Sequence, residues 1–232
     1  MSNSPQLSKQ RVNTVINRQS TREDKQCEKV VAKLNEDLKN EFNITLKWQK
    51  SLNLADTIQK IKNIYPDIAF TTPQKRSSMK PDGGITCLVD KNGTLYPILI
   101  SEVKNQGTND IRQAEGKKKQ SKGNAVERLG KNVIGFKTLM LGEEIFPFVC
   151  FGDGCDFEDG STILDRVSTI AMFGELNKDN TFNIGPNKEF ARGSYFFRAP
   201  YWTAGEMYDI MYNVAKTSIN YYFNKYGKDN FV

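Results

Sequence analysis

Between residues 85 and 104 the chain carries two apolar runs around a two-residue turn signal, and no other stretch constrains its fold as strongly. The runs 85–90 and 94–104 flank Asn92-Gly93, a dipeptide that supplies the positive φ angles of a tight hairpin, so both runs belong in one sheet. A stripe at helical spacing follows, Val126, Leu129, Val133, Phe136 and Met140, opened by Gly123-Asn124 and succeeded by an apolar run over 145–151. Strand, helix and strand in that order call for a parallel crossover. Added to the hairpin, this gives an α/β fold with a central mixed β-sheet flanked by helices.

The flanks fill in around that core. Val30, Leu34, Leu38 and Phe42 recur every four residues as one helical face, and Ile44, Leu46 and Trp48 alternate as a short strand does. A second helix is predicted around Leu54, Ile58, Ile61 and Ile64, closed by Pro66, and a third near 164–173. After a polar segment through Arg192, a long helix over 204–226 presents Met207, Ile210, Met211, Val214, Ile219 and Phe223 on a broad apolar face. Residues 1–24, rich in Ser, Asn, Gln and Arg, read as a flexible N-terminal arm, and 25–232 as a single domain, because no Pro- or Ser-rich linker divides it. Tyr195, Phe196, Phe197, Tyr201 and Trp202 could stack on nucleic acid, but without aromatic-basic alternation they read as core. Cys27, Cys87, Cys150 and Cys155 lack the CxxC spacing of a metal knuckle and are expected to be reduced thiols. No signal-peptide core is present and no apolar stretch reaches the roughly 20 residues of a membrane span, which points to the cytoplasm.

The chain of 232 residues contains no histidine. That removes Ser-His and Cys-His nucleophile pairs and histidine-ligated zinc or iron, and leaves catalysis to carboxylates and lysine. Pro81-Asp82, followed by Gly83-Gly84, precedes the first strand of the hairpin, and Ser101-Glu102-Val103-Lys104 ends the second. Glu102 and Lys104 alternate on a strand and so share a face. With Asp82 at the start of the neighbouring strand, the two carboxylates can share one Mg²⁺, a hard cation suited to oxygen ligands, and the main-chain carbonyl of Val103 can add a third. Lys104 would then orient or help deprotonate an attacking water. A surface ion pair is the ordinary reading of such a set, but apolar Leu95, Pro97, Ile98, Leu99 and Ile100 lead into Glu102 and place the charges at the end of a buried strand. The net charge of +6, with Arg112, Lys117, Lys118, Lys119, Lys122, Arg128 and Lys131 in one stretch, suits a polyanion partner, although a solvated loop has the same composition.

Residues 77–85, SSMKPDGGI, with 101–107, SEVKNQG, and the segment Gly123-Asn124-Ala125-Val126-Glu127-Arg128 resemble the EcoRI-type restriction endonucleases of the PD-(D/E)xK nuclease superfamily. Ile163-Leu164-Asp165-Arg166 extends the likeness, which runs from about Ile58 to the last helix. The resemblance implies a PD-(D/E)xK core. It implies Asp82, Glu102 and Lys104 as catalytic residues, with Mg²⁺ on Asp82 and Glu102. It also implies base reading by Asn124, Ala125 and Arg128 at the opening of a recognition helix, with Glu127 bracing Arg128. An Asn amide can bond adenine N6 and N7 together, and a guanidinium suits purine acceptors. A helix N-cap is the everyday use of Asn124, and the two roles are compatible. Lys117, Lys118, Lys119 and Lys122, ahead of Gly123, would hold phosphates.

The chain departs from that pattern in two places. The family carries two arginines, implicated in reading the outer base pair, in the segment aligned with 163–166, and here Ile163 replaces one, leaving Arg166. The loop ahead of Gly123 is shorter, with Gln120-Ser121-Lys122 where the family has small and apolar residues. Type II cleavage of double-stranded DNA at a palindrome with an AATT core is therefore expected, with GAATTC or purine-AATT-pyrimidine as the site, 5′ overhangs, a homodimer, and a companion DNA methyltransferase. Two rivals stand beside it. One is a sequence-nonspecific or structure-specific nuclease of the same superfamily, against which the recognition-like segment argues. The other is a non-catalytic DNA-binding module, which has no need for two carboxylates facing a phosphate.

Overall fold

The computed structural model describes residues 15–105, 107–118 and 124–232. Helix α1, Val15–Phe42, is followed by strand β1, Leu46–Gln49, by β2, Leu52–Asn53, and by helix α2, Leu54–Ile64. Strands β3, Ser78–Met79, β4, Gly84–Val89, and β5, Leu95–Asn105, come next, then helices α3, Gly107–Ala114, and α4, Asn124–Leu139. Strand β6, Phe148–Asp153, a 3₁₀ turn at Cys155–Phe157, helix α5, Thr162–Ile170, strand β7, Ser194–Arg198, helix α6, Ala204–Tyr226, and a 3₁₀ turn at Lys228–Asn230 complete the order. Five strands form one sheet in the order β1-β4-β5-β6-β7, and β2 pairs with β3 apart from it. The β1–β4 and β4–β5 ladders are antiparallel, and the β5–β6 and β6–β7 ladders are parallel. The expected mixed sheet is present, with β5 as the strand where the two pairing modes meet.

The apolar run of β5 explains its central place. Ile98, Leu99 and Ile100 are fully buried, as a strand covered on both faces must be. On one side α1 and α6 pack together, and the Tyr222 hydroxyl donates to the Pro97 carbonyl at 3.1 Å. On the other, Val126, Leu129, Val133 and Phe136 of α4 are buried, with the Phe136 ring 6.0 Å from that of Phe148. Pro97 cannot donate to a ladder, and the register shifts beside it, between Thr86 and Cys87 of β4. Pro147 likewise delays β6 to Phe148, three residues later than the expected start at 145.

The hairpin turn differs from the expected two-residue form. Only Gly93 has a positive φ, +80°, and Asn92 does not. Asp90 builds the turn instead: its Oδ1 accepts from the main-chain N–H groups of Asn92 and Thr94, at 2.9 and 2.7 Å. Helix α1 begins at Val15, inside the segment expected as an arm, while residues 1–14 lie outside the described residues. The four cysteines are buried and none is in a disulfide, and no helix among the described residues is long and apolar enough to cross a membrane.

Candidate active site

The turn ahead of β4 is shaped by two glycines. Gly83 donates its N–H to the Ser101 carbonyl at 2.9 Å, and its own carbonyl accepts from the Trp48 indole at 2.9 Å. Gly84 sits at φ +80°, and a Cβ there would press on the Trp48 ring and come 2.9 Å from the Gln49 carbonyl; only glycine takes that backbone without strain. The tightness of the turn brings Asp82 against the end of β5. The Asp82 N–H donates to Glu102 Oε2 at 3.3 Å, and Asp82 Oδ2 accepts from the Val103 N–H at 3.2 Å.

Lys104 closes the arrangement. Its ammonium donates to Asp82 Oδ2 at 3.1 Å, to Glu102 Oε1 at 2.5 Å and to the Val103 carbonyl at 2.9 Å. The Glu102 side chain is 2% exposed and that of Lys104 14%, so these charges meet where solvent screens them weakly. Burial pushes the Glu102 carboxyl above its ordinary range; the Lys104 charge opposes this and the Asp82 charge adds to it. For Lys104, burial alone would lower the pKa, but the Glu102 and Asp82 charges outweigh it and hold the ammonium firmly protonated. The ammonium thus occupies a pocket of two carboxylate oxygens and one carbonyl oxygen as a cation would. Hard oxygen donors of this kind fit Mg²⁺, so the residues named from the sequence could hold that ion.

Two more residues complete the surroundings and were missed in the sequence. Asn132 of α4 donates from Nδ2 to Glu102 Oε1 at 3.3 Å; its one sequence signal is an amide residue inside a helix, where Asn is a poor helix former. Asp24 of α1 is half-buried, and its carboxyl is raised to about 6, first by burial and then by the Asp82 charge, against the Lys104 charge. Since Asp24 falls in the stretch read as an arm, nothing in the sequence marked it.

The remaining candidates lie at the start of α4, after α3, on α5 or outside the described residues. Arg128 is exposed, one helical turn before Asn132, and so on the same side of α4. Glu127 is also exposed, and Asn124 and Ala125 open the helix. Lys117 and Lys118 are exposed, with Lys117 paired to Glu115 at 2.7 Å, whereas Lys119, Lys122 and Gly123 lie outside the described residues. On α5, Arg166 is exposed but Ile163 is 8% exposed and belongs to the core, so the replaced arginine position points inward here. Helix α3, which precedes this segment, is pinned by polar contacts: Asp110 Oδ1 accepts from the Cys155 N–H at 2.7 Å, and the Asn109 amide donates to both oxygens of Asp156, at 2.6 and 2.9 Å.

A mixed sheet bearing a carboxylate at the head of one strand and Glu-x-Lys at the end of the next has the architecture of a restriction-type nuclease. Residues 9–229 match the model of restriction endonuclease EcoRI, and the chain belongs to that family of site-specific deoxyribonucleases. It is 33% identical over 226 residues to the type II restriction enzyme RsrI of Cereibacter sphaeroides, a match covering 82% of this chain and 79% of that one. To the type II restriction enzyme EcoRI of Escherichia coli it is 28% identical over 219 residues, covering 78% and 79% respectively.

Proposed function

We propose that this chain cuts both strands of double-stranded DNA in a Mg²⁺-dependent reaction at a short palindrome with an AATT core, GAATTC or purine-AATT-pyrimidine, and leaves 5′ overhangs. The observation that carries the reading is the seat of the Lys104 ammonium on Asp82, Glu102 and the Val103 carbonyl, a ready-made cation site at the end of a buried strand. Those three groups would hold Mg²⁺, which when bound polarises a phosphate oxygen and acidifies a water. Glu102 keeps its aim through the Asn132 amide. Lys104 orients the attacking water and offers its charge to the phosphate oxygens as negative charge builds.

Recognition would fall to the opening of α4. Asn124, Ala125 and Arg128 would meet base edges in the major groove, Glu127 would brace Arg128, and Lys117, Lys118, Lys119 and Lys122, with the Gly123 backbone, would meet phosphates. Arg166 would remain as the exposed basic residue of α5 near the outer base pair. The inward Ile163 favours relaxed outer-base readout, hence purine-AATT-pyrimidine over GAATTC. A palindrome has two-fold symmetry, so the working species would be a homodimer with one site per strand. A companion DNA methyltransferase would protect the host sites, and four buried cysteines outside any disulfide suit a cytoplasmic setting.

Digestion of a sequenced plasmid with Mg²⁺, with fragment ends read by sequencing and Glu102→Ala as control, tests the proposal. Discrete ends at one AATT-centred palindrome, lost in the variant, are expected. Random nicking would instead favour a nonspecific or structure-specific nuclease, and Mg²⁺-dependent binding without cleavage would favour a DNA-binding module.

A further inference from the structure

The Lys104 ammonium and a divalent cation claim the same oxygens: Asp82 Oδ2, Glu102 Oε1 and the Val103 carbonyl. Two positive charges on one set of ligands repel strongly where solvent is scarce, so Lys104 must yield its place. An ammonium only 14% exposed cannot simply be left without an anion.

Among the described residues, Asp24 is a carboxylate outside the cradle that feels its charges. Asp24 stands one helical turn before Cys27 on α1 and therefore on the same face. Cys27 is fully buried, and its Sγ lies 2.6 Å from where a Cβ on Gly83 would sit, so that face looks onto the Asp82 turn. Asp24 is half-buried and feels the charges of both Asp82 and Lys104. Among the described residues no three carboxylates or thiols converge closely enough to hold a metal ion, which sets Asp24 apart from the ligands.

We infer that Asp24 is a positioning residue that receives the Lys104 ammonium when a divalent cation takes over Asp82, Glu102 and the Val103 carbonyl; the inference rests on the cation site proposed above. Lys104 then moves between two anchors. Without the ion it bridges the two carboxylates and offsets one of their two charges. With the ion it leans toward α1, still charged, beside the place where the phosphate is attacked. Asp24 makes the second anchor favourable, so it aids ion binding without touching the ion.

Mn²⁺ binding to the DNA-free full chain, followed by electron paramagnetic resonance, tests this through a double-mutant cycle of Asp24→Asn and Lys104→Met. Lys104→Met removes the competing ammonium and should tighten Mn²⁺. Asp24→Asn should weaken Mn²⁺ about fivefold with Lys104 present and less than about twofold in the Lys104→Met background, as befits a half-buried ion pair. Equal weakening in both backgrounds would make Asp24 a ligand or a distant charge and overturn the inference, as would no weakening in either. Glu102→Gln is the control on the cation site. If wild type binds no Mn²⁺, or Glu102→Gln binds it as well as wild type, the site reading fails; a flat cycle on top of a Glu102-dependent signal refutes the role of Asp24 alone.

Discussion

Replacing Gly84 by alanine tests whether the turn ahead of β4 holds the candidate site in place. The backbone there has φ +80°, which costs alanine about 1 kcal/mol. The added methyl also meets the Trp48 ring, with Cε2 at 2.6 Å, and the Gln49 carbonyl at 2.9 Å, an overpacking cost of about 1–3 kcal/mol. Trp48 has to move, and its 2.9 Å bond to the Gly83 carbonyl is worth about 1 kcal/mol more. Together the loss is about 4 kcal/mol, a large part of the roughly 5–15 kcal/mol that a domain has to spare. Gly93 supplies the control: it has the same φ, +80°, but nothing within 4 Å of its Cβ position, so Gly93→Ala should cost only about 1 kcal/mol. Urea unfolding of both variants, with unchanged slope, reads the difference. Equal losses in the two would refute the argument that Trp48 clamps the Asp82 turn.

Asn132→Ala removes the amide that points at Glu102 and should slow cleavage about five- to tenfold, with the acid limb of the pH–rate profile moved to higher pH because Glu102 loses a donor to its charged form; an unchanged limb counts against the contact. Asp153→Asn should stabilise the protein near neutral pH. Burial, aided by the Asp110 charge and opposed by the Trp202 N–H and Arg198, raises the Asp153 carboxyl from 3.8 to about 6. The folded state therefore holds an extra proton between those values, and stability falls as pH rises through that window. The amide escapes this loss, so a gain of up to about 2 kcal/mol should grow between about pH 4 and 6 and vanish in acid; thermal melts across that range check it. Lys117→Ala and Lys118→Ala should each flatten the slope of log affinity against log salt by about 0.9, equally for all DNA sequences, and a change confined to one sequence would show base contacts instead.

What the sequence revealed of this fold followed the strength of its local signals. The stripes of α1, α2, α4 and α6 and the β4–β5 pair were legible because their apolar residues repeat at one period and end at turn residues. Strand β7 was not, since Ser194–Arg198 offers three apolar residues after a polar stretch, and so short a run fits any buried segment; Tyr195, Phe196 and Phe197 are core as expected, Trp202 packs half-buried against it, and Tyr201 is exposed instead. Helix α3 has no apolar stripe and is held by the Asn109–Asp156 and Asp110–Cys155 contacts, which join positions 45 or more residues apart. Within the candidate site, Asp82, Glu102 and Lys104 could be named because they lie on one hairpin. Asn132 and Asp24 reach the same place from separate helices, and only the packing of those helices on the sheet brings them there.

That the Asp82–Lys104 ion pair spans only 22 positions of chain bears on how the molecule assembles. An antiparallel hairpin closes on the microsecond scale, whereas parallel pairing must wait for a crossover to form. The β4–β5 hairpin can therefore set the spacing of the candidate catalytic groups before β6, β7 and the helices that flank them are in place. If the opening of α4 and Arg166 of α5 read the bases as proposed above, substitutions there act on a late-forming half of the protein, and those that spare Asn132 leave the Asp82–Lys104 hairpin as it was.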